Sequence, residues 1–265
     1  METATSADGT VIAYERVGEG PPLVVSVGAF CTRRTFVAPD DLTRRFTVVT
    51  YDRRGRGDSG NTEPFAPERE YEDLAAVAAA SGPEPPFVYG HSSGGAIALR
   101  AAAAGVPTAG IVAYEAPFQN DDTPRPSVNV DQHVRALVGA GRRREAVIFW
   151  IAEVARLPRE MVAHMEDAPW VSDLEPMTDT LSHDLGVTAG GVPTSELGRI
   201  TAPVLIVGGE NSPAWFHRSV ADQAAAIPGA QLMLLDGCDH SVPAELISSI
   251  LVDFFGRHGT PMDAG

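Results

Sequence analysis

The stretch Pro86-Phe87-Val88-Tyr89-Gly90-His91-Ser92-Ser93-Gly94-Gly95-Ala96-Ile97-Ala98-Leu99-Arg100-Ala101 decides the fold. Its first four residues are apolar or aromatic and read as a strand, and its last seven are rich in helix formers. Between them, Gly90-His91-Ser92-Ser93-Gly94 has the form G-x-S-x-G. In that strand–turn–helix setting a sharp turn exposes one hydroxyl at the carboxyl edge of a sheet. Small neighbours let strand and helix pack closely, and the helix amino terminus favours negative charge beside the turn. The pentapeptide alone is weak, because Gly and Ser are ordinary turn residues. Its flanking strand and helix make it specific, and Ser92 is the candidate nucleophile.

Outward from this point the chain alternates strand and helix. Upstream, Thr10 to Val17 reads as a strand after the turn signal Asp8-Gly9, and Leu23 to Val27 and Phe46 to Tyr51 read as further strands. Tyr71 to Ala80 reads as a helix, Ser93 to Ala104 as another that stops at Gly105, and Gly110 to Tyr114 as a strand. This rhythm predicts an α/β fold with a mostly parallel sheet and helices on both faces. From 119 to 199 no strand-like run is found. Asp131 to Val138, Arg142 to Arg156 and Arg159 to Glu166 read as helices there, so 119–199 is expected to be an inserted helical cap that covers Ser92. The core is expected at 1–118 and 200–265. It resumes with a strand at Pro203 to Gly208, a helix at Ala214 to Ala226, a strand at Gln231 to Leu235 and a helix from Ala244 to Arg257. The tail after Gly256 is expected to be loose.

Composition narrows the classes of partner. The chain has 265 residues, enough for one large α/β domain with an insertion. Its 35 acids against 20 bases give a formal charge of −15, which argues against nucleic acid or an anionic membrane as partner. No lysine is present, so lysine Schiff-base chemistry is excluded. Two cysteines, Cys31 and Cys238, make neither a disulfide framework nor a metal signature. His133, His164 and His183 are not spaced as metal ligands. The first residues carry no basic region followed by an apolar core, so no signal peptide is expected and cytoplasm is the expected location.

Three motifs in order make the chain resemble the α/β-hydrolase superfamily over nearly its whole length. They are the Ser92 elbow, the upstream Tyr51-Asp52-Arg53-Arg54-Gly55-Arg56-Gly57-Asp58-Ser59, and Gly237-Cys238-Asp239-His240 after the last strand. The family order is nucleophile, acid, histidine. His240 stands at the family's histidine position. Read from its chemistry, a serine hydroxyl needs a base to take its proton, and a neutral imidazole suits that task. The plainer reading, a surface-loop histidine, is weakened by its placement between a final strand and a terminal helix.

The acid departs from the family's usual pattern. Most members carry an aspartate in the loop after the strand at Val204–Val207, where this chain reads Gly208-Gly209-Glu210-Asn211-Ser212-Pro213 and Ser212 stands at the aspartate position. Glu210 could turn inward. Glu115, ending Ile111-Val112-Ala113-Tyr114-Glu115, lies at a strand end from which some members reach the histidine. Fungal zearalenone lactonases share this combination of a Ser-Ser elbow, a glutamate at that strand end and no acid in the later loop. Glu115 is therefore favoured over Glu210, against the plainer reading of a strand-end cap. Asp239 is a weaker candidate, being adjacent to His240.

For an oxyanion hole the resemblance implies the backbone N–H of Ser93 and one from Gly28-Ala29-Phe30, with Ala29 ahead of Phe30. The family's usual His-Gly is Val27-Gly28 here. Phe30, Trp150 and Trp170 either line the substrate site or pack as core. Asp52 to Ser59 is expected to be a structural turn rather than a phosphate loop, and Arg142-Arg143-Arg144 a solvated face. The resemblance implies a serine hydrolase for a small-molecule ester or lactone, with no cofactor and no metal. A cofactor-free haloperoxidase or perhydrolase, or a weakly catalytic ligand-binding member, is the alternative. Aspartate nucleophiles of epoxide hydrolases and dehalogenases are absent at position 92.

Overall fold

The strands that read as continuous apolar runs are buried on both faces, and that is why their alternation is hidden in the sequence. Val24, Val88, Ile111, Ala113, Val204 and Ile206 enter one apolar cluster, while Leu23, Val25, Phe87, Tyr89, Val112, Tyr114, Leu205 and Val207 enter a second. The side-chain period of two thus sends neighbours to opposite faces, and each face needs its own cover. The computed structural model describes residues 1–157, 159–165 and 167–258.

In chain order the elements are β1 (Glu2–Thr5), β2 (Val11–Val17), β3 (Pro22–Ser26), α1 (Asp40–Thr43), β4 (Thr47–Tyr51), α2 (Pro67–Ser81), β5 (Phe87–His91), α3 (Ser93–Ala103) and β6 (Gly110–Tyr114). There follow α4 (Val130–Gly139), α5 (Arg143–Glu153), α6 (Arg159–Met165), two 3-10 turns at Pro169–Asp173 and Glu175–Thr180, α7 (Leu181–Thr188) and α8 (Thr194–Leu197). The chain continues with β7 (Val204–Gly209), α9 (Ala214–Ala226), β8 (Gln231–Leu235) and α10 (Ala244–Gly256). Among the described residues the sheet has eight strands in the order β1-β2-β4-β3-β5-β6-β7-β8. β1 and β2 pair antiparallel, as do β2 and β4; every pairing from β4 to β8 is parallel.

The first cluster joins these strands to α2, α3 and α9 through Leu74, Val77, Ile97, Leu99 and Val220. The second joins them to α1 and α10 through Leu42, Ile247, Leu251, Phe254 and Phe255. Phe87 stacks on Phe255 at 4.5 Å between ring centroids, an arrangement that adds about 0.5–1.5 kcal/mol beyond area burial.

The chain divides into two compact units, one of residues 1–123 with 187–265 and one of residues 124–186. The segment expected as an insert, 119–199, is wider than the second unit. Asn120 donates to the Trp215 carbonyl at 2.8 Å, and Arg100 pairs with Glu196 at 3.2 Å, so both flanks are tied into the first unit.

Within the second unit, α4 begins one residue earlier than expected because Asn129 caps it, its side chain accepting the Gln132 N–H at 3.0 Å. α5 ends at Glu153 rather than Arg156, where the backbone turns left-handed at φ 59°. Glu166 and the tail from residue 259 lie outside the described residues. The three arginines read as a solvated face divide. Arg142 pairs with exposed Glu145, but Arg143 donates to Thr178 Oγ1 and Arg144 to the Ala168 carbonyl, both at 2.7 Å. These two bind the 3-10 turns to α5. Their flexible side chains can reach sideways over a neighbouring segment, which charge patterning alone does not reveal.

Candidate active site

Among the described residues four non-glycine residues have positive φ, and three of them follow neighbouring strands: Phe30 at 56° after β3, Ser92 at 57° after β5 and Glu115 at 45° after β6. Such backbone costs about 1–3 kcal/mol per residue and persists only where the surroundings enforce it. At the carboxyl edge of a parallel sheet, where open α/β sheets bind ligands, it marks a candidate site.

Ser92 sits at φ 57°, ψ −129° as the residue before α3. Its N–H donates to the Tyr114 carbonyl at 2.9 Å, and its own carbonyl accepts the Gly95 N–H at 2.8 Å. The turn is this tight because of its glycines. A Cβ on Gly94 would lie 2.1 Å from the Ser26 carbonyl oxygen, so any side chain there would force α3 off β3. Gly28 serves the hydroxyl itself, since a Cβ there would stand 2.8 Å from Ser92 Cβ and 3.3 Å from Ser92 Oγ.

His240 follows β8 in an irregular loop, with its side chain 41% exposed. Its Nδ1–H donates to Glu115 Oε2 at 2.8 Å. Glu115 is fully buried, and its other oxygen accepts the Gly209 N–H at 2.9 Å. Burial raises its carboxyl, but the bonds from His240 and the Gly209 N–H, with the nearby Ser212 hydroxyl, outweigh this and hold it below the usual 4.5. Ser212 is buried and its hydroxyl meets no partner at full hydrogen-bond geometry among the described residues. It still lies close enough for its dipole to favour the carboxylate. Glu210 is exposed, and among the described residues its carboxylate makes no hydrogen bond or ion pair. Asp239 accepts the Ser241 N–H at 2.8 Å and does not meet His240.

Two rings flank His240. Phe216 stacks on it at 5.1 Å, and the ring of His91 lies at 5.0 Å. Burial, followed by the nearby His240, lowers His91 to about 4, so its ring is neutral. Its Nε2–H donates to the His240 carbonyl at 2.9 Å. This contact brings the Ser92 elbow and the histidine loop together.

Of the two expected oxyanion donors, Ser93 is buried at the first position of α3, and Ala29 lies half-buried in the turn after β3. The Ala29 N–H has no protein acceptor among the described residues. Beneath both runs the arginine-rich turn, which carries no free phosphate cradle. Arg53 is fully buried and bonds Glu70 through Nε and Nη2, and it donates from Nη1 to Ser93 Oγ at 3.0 Å. Arg56 donates to the Gly28 carbonyl at 2.7 Å. Arg54 is held by Asp73 and Asp8, and Arg33 by Glu15, Asp52 and Asp58. The turn is thus a buried ionic scaffold that fixes the backbone on either side of the serine.

Of the other expected residues, Phe30 is half-buried at its left-handed turn, Trp150 is buried, and Trp170 is 45% exposed. Cys238 and Cys31 form no disulfide among the described residues and join the second apolar cluster. Sequence reasoning passed over His91, Tyr114, Phe216, Arg53 and Arg56. The first two were signalled by adjacency alone, since each directly precedes a site residue.

Residues 23–246 match the alpha/beta hydrolase family. A solved alpha/beta hydrolase from Sphaerobacter thermophilus is 40% identical, over 96% of this chain and 100% of that one, with a TM-score of 0.89. The chain belongs to the alpha/beta hydrolase family. Two further structures share the fold: an enol-lactonase from Burkholderia xenovorans at 23% identity, 96% and 100% coverage and TM-score 0.73, and a thermophilic esterase from Thermogutta terrifontis at 21%, 98% and 99% and 0.72.

Proposed function

We propose that this hydrolase cleaves a carboxylic ester or lactone through an acyl-enzyme on Ser92. The observation that carries the reading is the 2.8 Å bond from His240 Nδ1 to buried Glu115, with the His240 backbone bonded to the residue that precedes a serine held at φ 57°. That bond keeps the proton on Nδ1 and leaves the Nε2 lone pair for the Ser92 hydroxyl. Ser92 Oγ attacks the carbonyl carbon while its proton passes to His240. Glu115 stabilises the resulting imidazolium, and the N–H groups of Ala29 and Ser93 receive the oxyanion. Collapse expels the alkoxide, which takes the proton from His240, and an ester on Ser92 remains. Water, deprotonated by His240, then attacks that ester, and Ser92 Oγ leaves and takes the proton back from His240. The products are a carboxylic acid and an alcohol, or one hydroxy acid from a lactone. The esterase and enol-lactonase of the same fold are consistent with this substrate class.

The test is initial rates on a panel of neutral esters and lactones of graded size, for the wild-type protein and Ser92→Ala. The reading expects turnover on members of the panel and a loss of about a thousandfold or more in the variant. Equal rates in a folded Ser92→Ala protein would defeat it. Tight binding of panel members without turnover by the wild type would favour a ligand-binding role.

A further inference from the structure

β5 and β6 are paired in parallel with His91 opposite Tyr114. Each of these residues comes directly before a member of the proposed triad, Ser92 or Glu115. Their side chains converge on the third member's loop. The Tyr114 hydroxyl donates to the Asp239 carbonyl, and His91 Nε2–H donates to the His240 carbonyl at 2.9 Å. Two consecutive carbonyls of the histidine loop are thereby held by two registered residues of the central sheet. The rings of His91 and Tyr114 lie 5.6 Å apart.

We propose that His91 and Tyr114 form a clamp that sets the position of His240 against Ser92 and Glu115, and that both are positioning residues for the reaction. The loop needs such a device. It follows β8, the last strand of the sheet, and most of β8 is exposed. The loop itself has no regular structure from Asp239 to Pro243. A base displaced by an ångström loses its line to the hydroxyl, and such errors cost on the order of a hundredfold in rate. Both clamp groups are kept in the donor state they need. Burial, with Glu115 beside it, pushes the Tyr114 phenol up, and the lowered His91 stays neutral with its proton on the nitrogen that faces a carbonyl. The clamp also ties the two ends of the proposed proton transfer together: the residue next to Ser92 is bonded to the backbone of His240.

The proposal rests on His240 being the base, so the experiment separates the two claims. Tyr114→Phe removes one oxygen and keeps the ring. It is expected to lower kcat about tenfold, with KM within about twofold, as loss of one positioning hydrogen bond implies. His91→Phe is expected to behave alike, and His91→Gln, whose amide can still donate, to recover most of that loss. In the same proteins the far-downfield proton signal of His240 Nδ1–H should broaden or vanish in Tyr114→Phe and persist in His91→Gln. That signal reports the clamp without any turnover, whereas absence of turnover in the wild type would count against the hydrolase reading alone. Wild-type kcat and an unchanged Nδ1–H signal in both Tyr114→Phe and His91→Phe would overturn the clamp. A loss that follows melting temperature alone, and is not recovered by His91→Gln, would overturn it as well.

Discussion

Glu115 and His240 are 125 positions apart in sequence and meet in one 2.8 Å bond between Oε2 and Nδ1. The carboxylate is fully buried, and its second oxygen is already taken by the Gly209 N–H. It cannot turn away without abandoning both donors. Glu115→Gln keeps the shape but presents an amide that no longer fixes the imidazole tautomer. It is expected to lose about two to four orders of magnitude in kcat, while Glu210→Gln, altering an exposed side chain, costs at most a few fold. Steady-state rates for the two variants decide this, and the reverse ranking would reassign the acid.

The same carboxylate makes a prediction about pH. Its folded-state pKa lies below the ordinary 4.5. A depressed carboxylate contributes stability that is fully present above its unfolded value and is lost as pH falls through the folded one. The melting-temperature advantage of wild type over Glu115→Gln should therefore be greatest near neutrality and shrink in acid below that ordinary value. An advantage that is constant, or that grows in acid, would contradict the assigned environment.

Gly28→Ala tests the close approach of the turn after β3, proposed to hold the oxyanion, to the serine. The new Cβ would need space 2.8 Å from Ser92 Cβ, and either the turn or the hydroxyl must move. Displacement on that scale is expected to cost about a hundredfold in kcat/KM with the fold retained. Circular dichroism beside steady-state kinetics checks it; unaltered kinetics would mean that neither group needs its observed place.

The buried arginine turn predicts a stability effect of opposite logic. Arg53→Met strands the Glu70 carboxylate, which is 1% exposed, and is expected to lower unfolding stability by about 3–5 kcal/mol. Arg53→Met/Glu70→Leu removes both charges and should regain much of that loss. Denaturant titrations of the single and double variants measure it. A double variant no better than the single one would mean the guanidinium's bonds to Ser93 and neighbouring backbone outweigh the stranded charge.

Much of the core could be read from the chain because its physics is local. The runs Leu23 to Val27, Gly110 to Tyr114 and Pro203 to Gly208 are apolar enough to be recognised as doubly covered strands, and the Ser92 turn is made specific by the strand and helix that flank it. β1 escaped because Glu2-Thr3-Ala4-Thr5 is an edge strand with little apolar content, stabilised by pairing with β2. Glu115 was legible as a strand-end carboxylate, but its bond to His240 depends on β6, β7 and the loop after β8 converging, and no local pattern encodes that. Although the arginine-rich turn was legible as structural, the partners of Tyr114, His91, Arg53 and Arg56 were unreadable for the same reason. Each acts on a backbone carbonyl or side chain at least 26 positions away.

The most direct test of the account is covalent labelling by a fluorophosphonate, with the modified peptide identified by mass spectrometry. The probe reacts with a serine whose proton a neighbouring base removes and whose developing oxyanion is held. The account predicts one modified site, Ser92, with labelling abolished in Ser92→Ala and strongly slowed in His240→Ala. No labelling of the wild-type protein, or labelling that persists undiminished in Ser92→Ala, would contradict it.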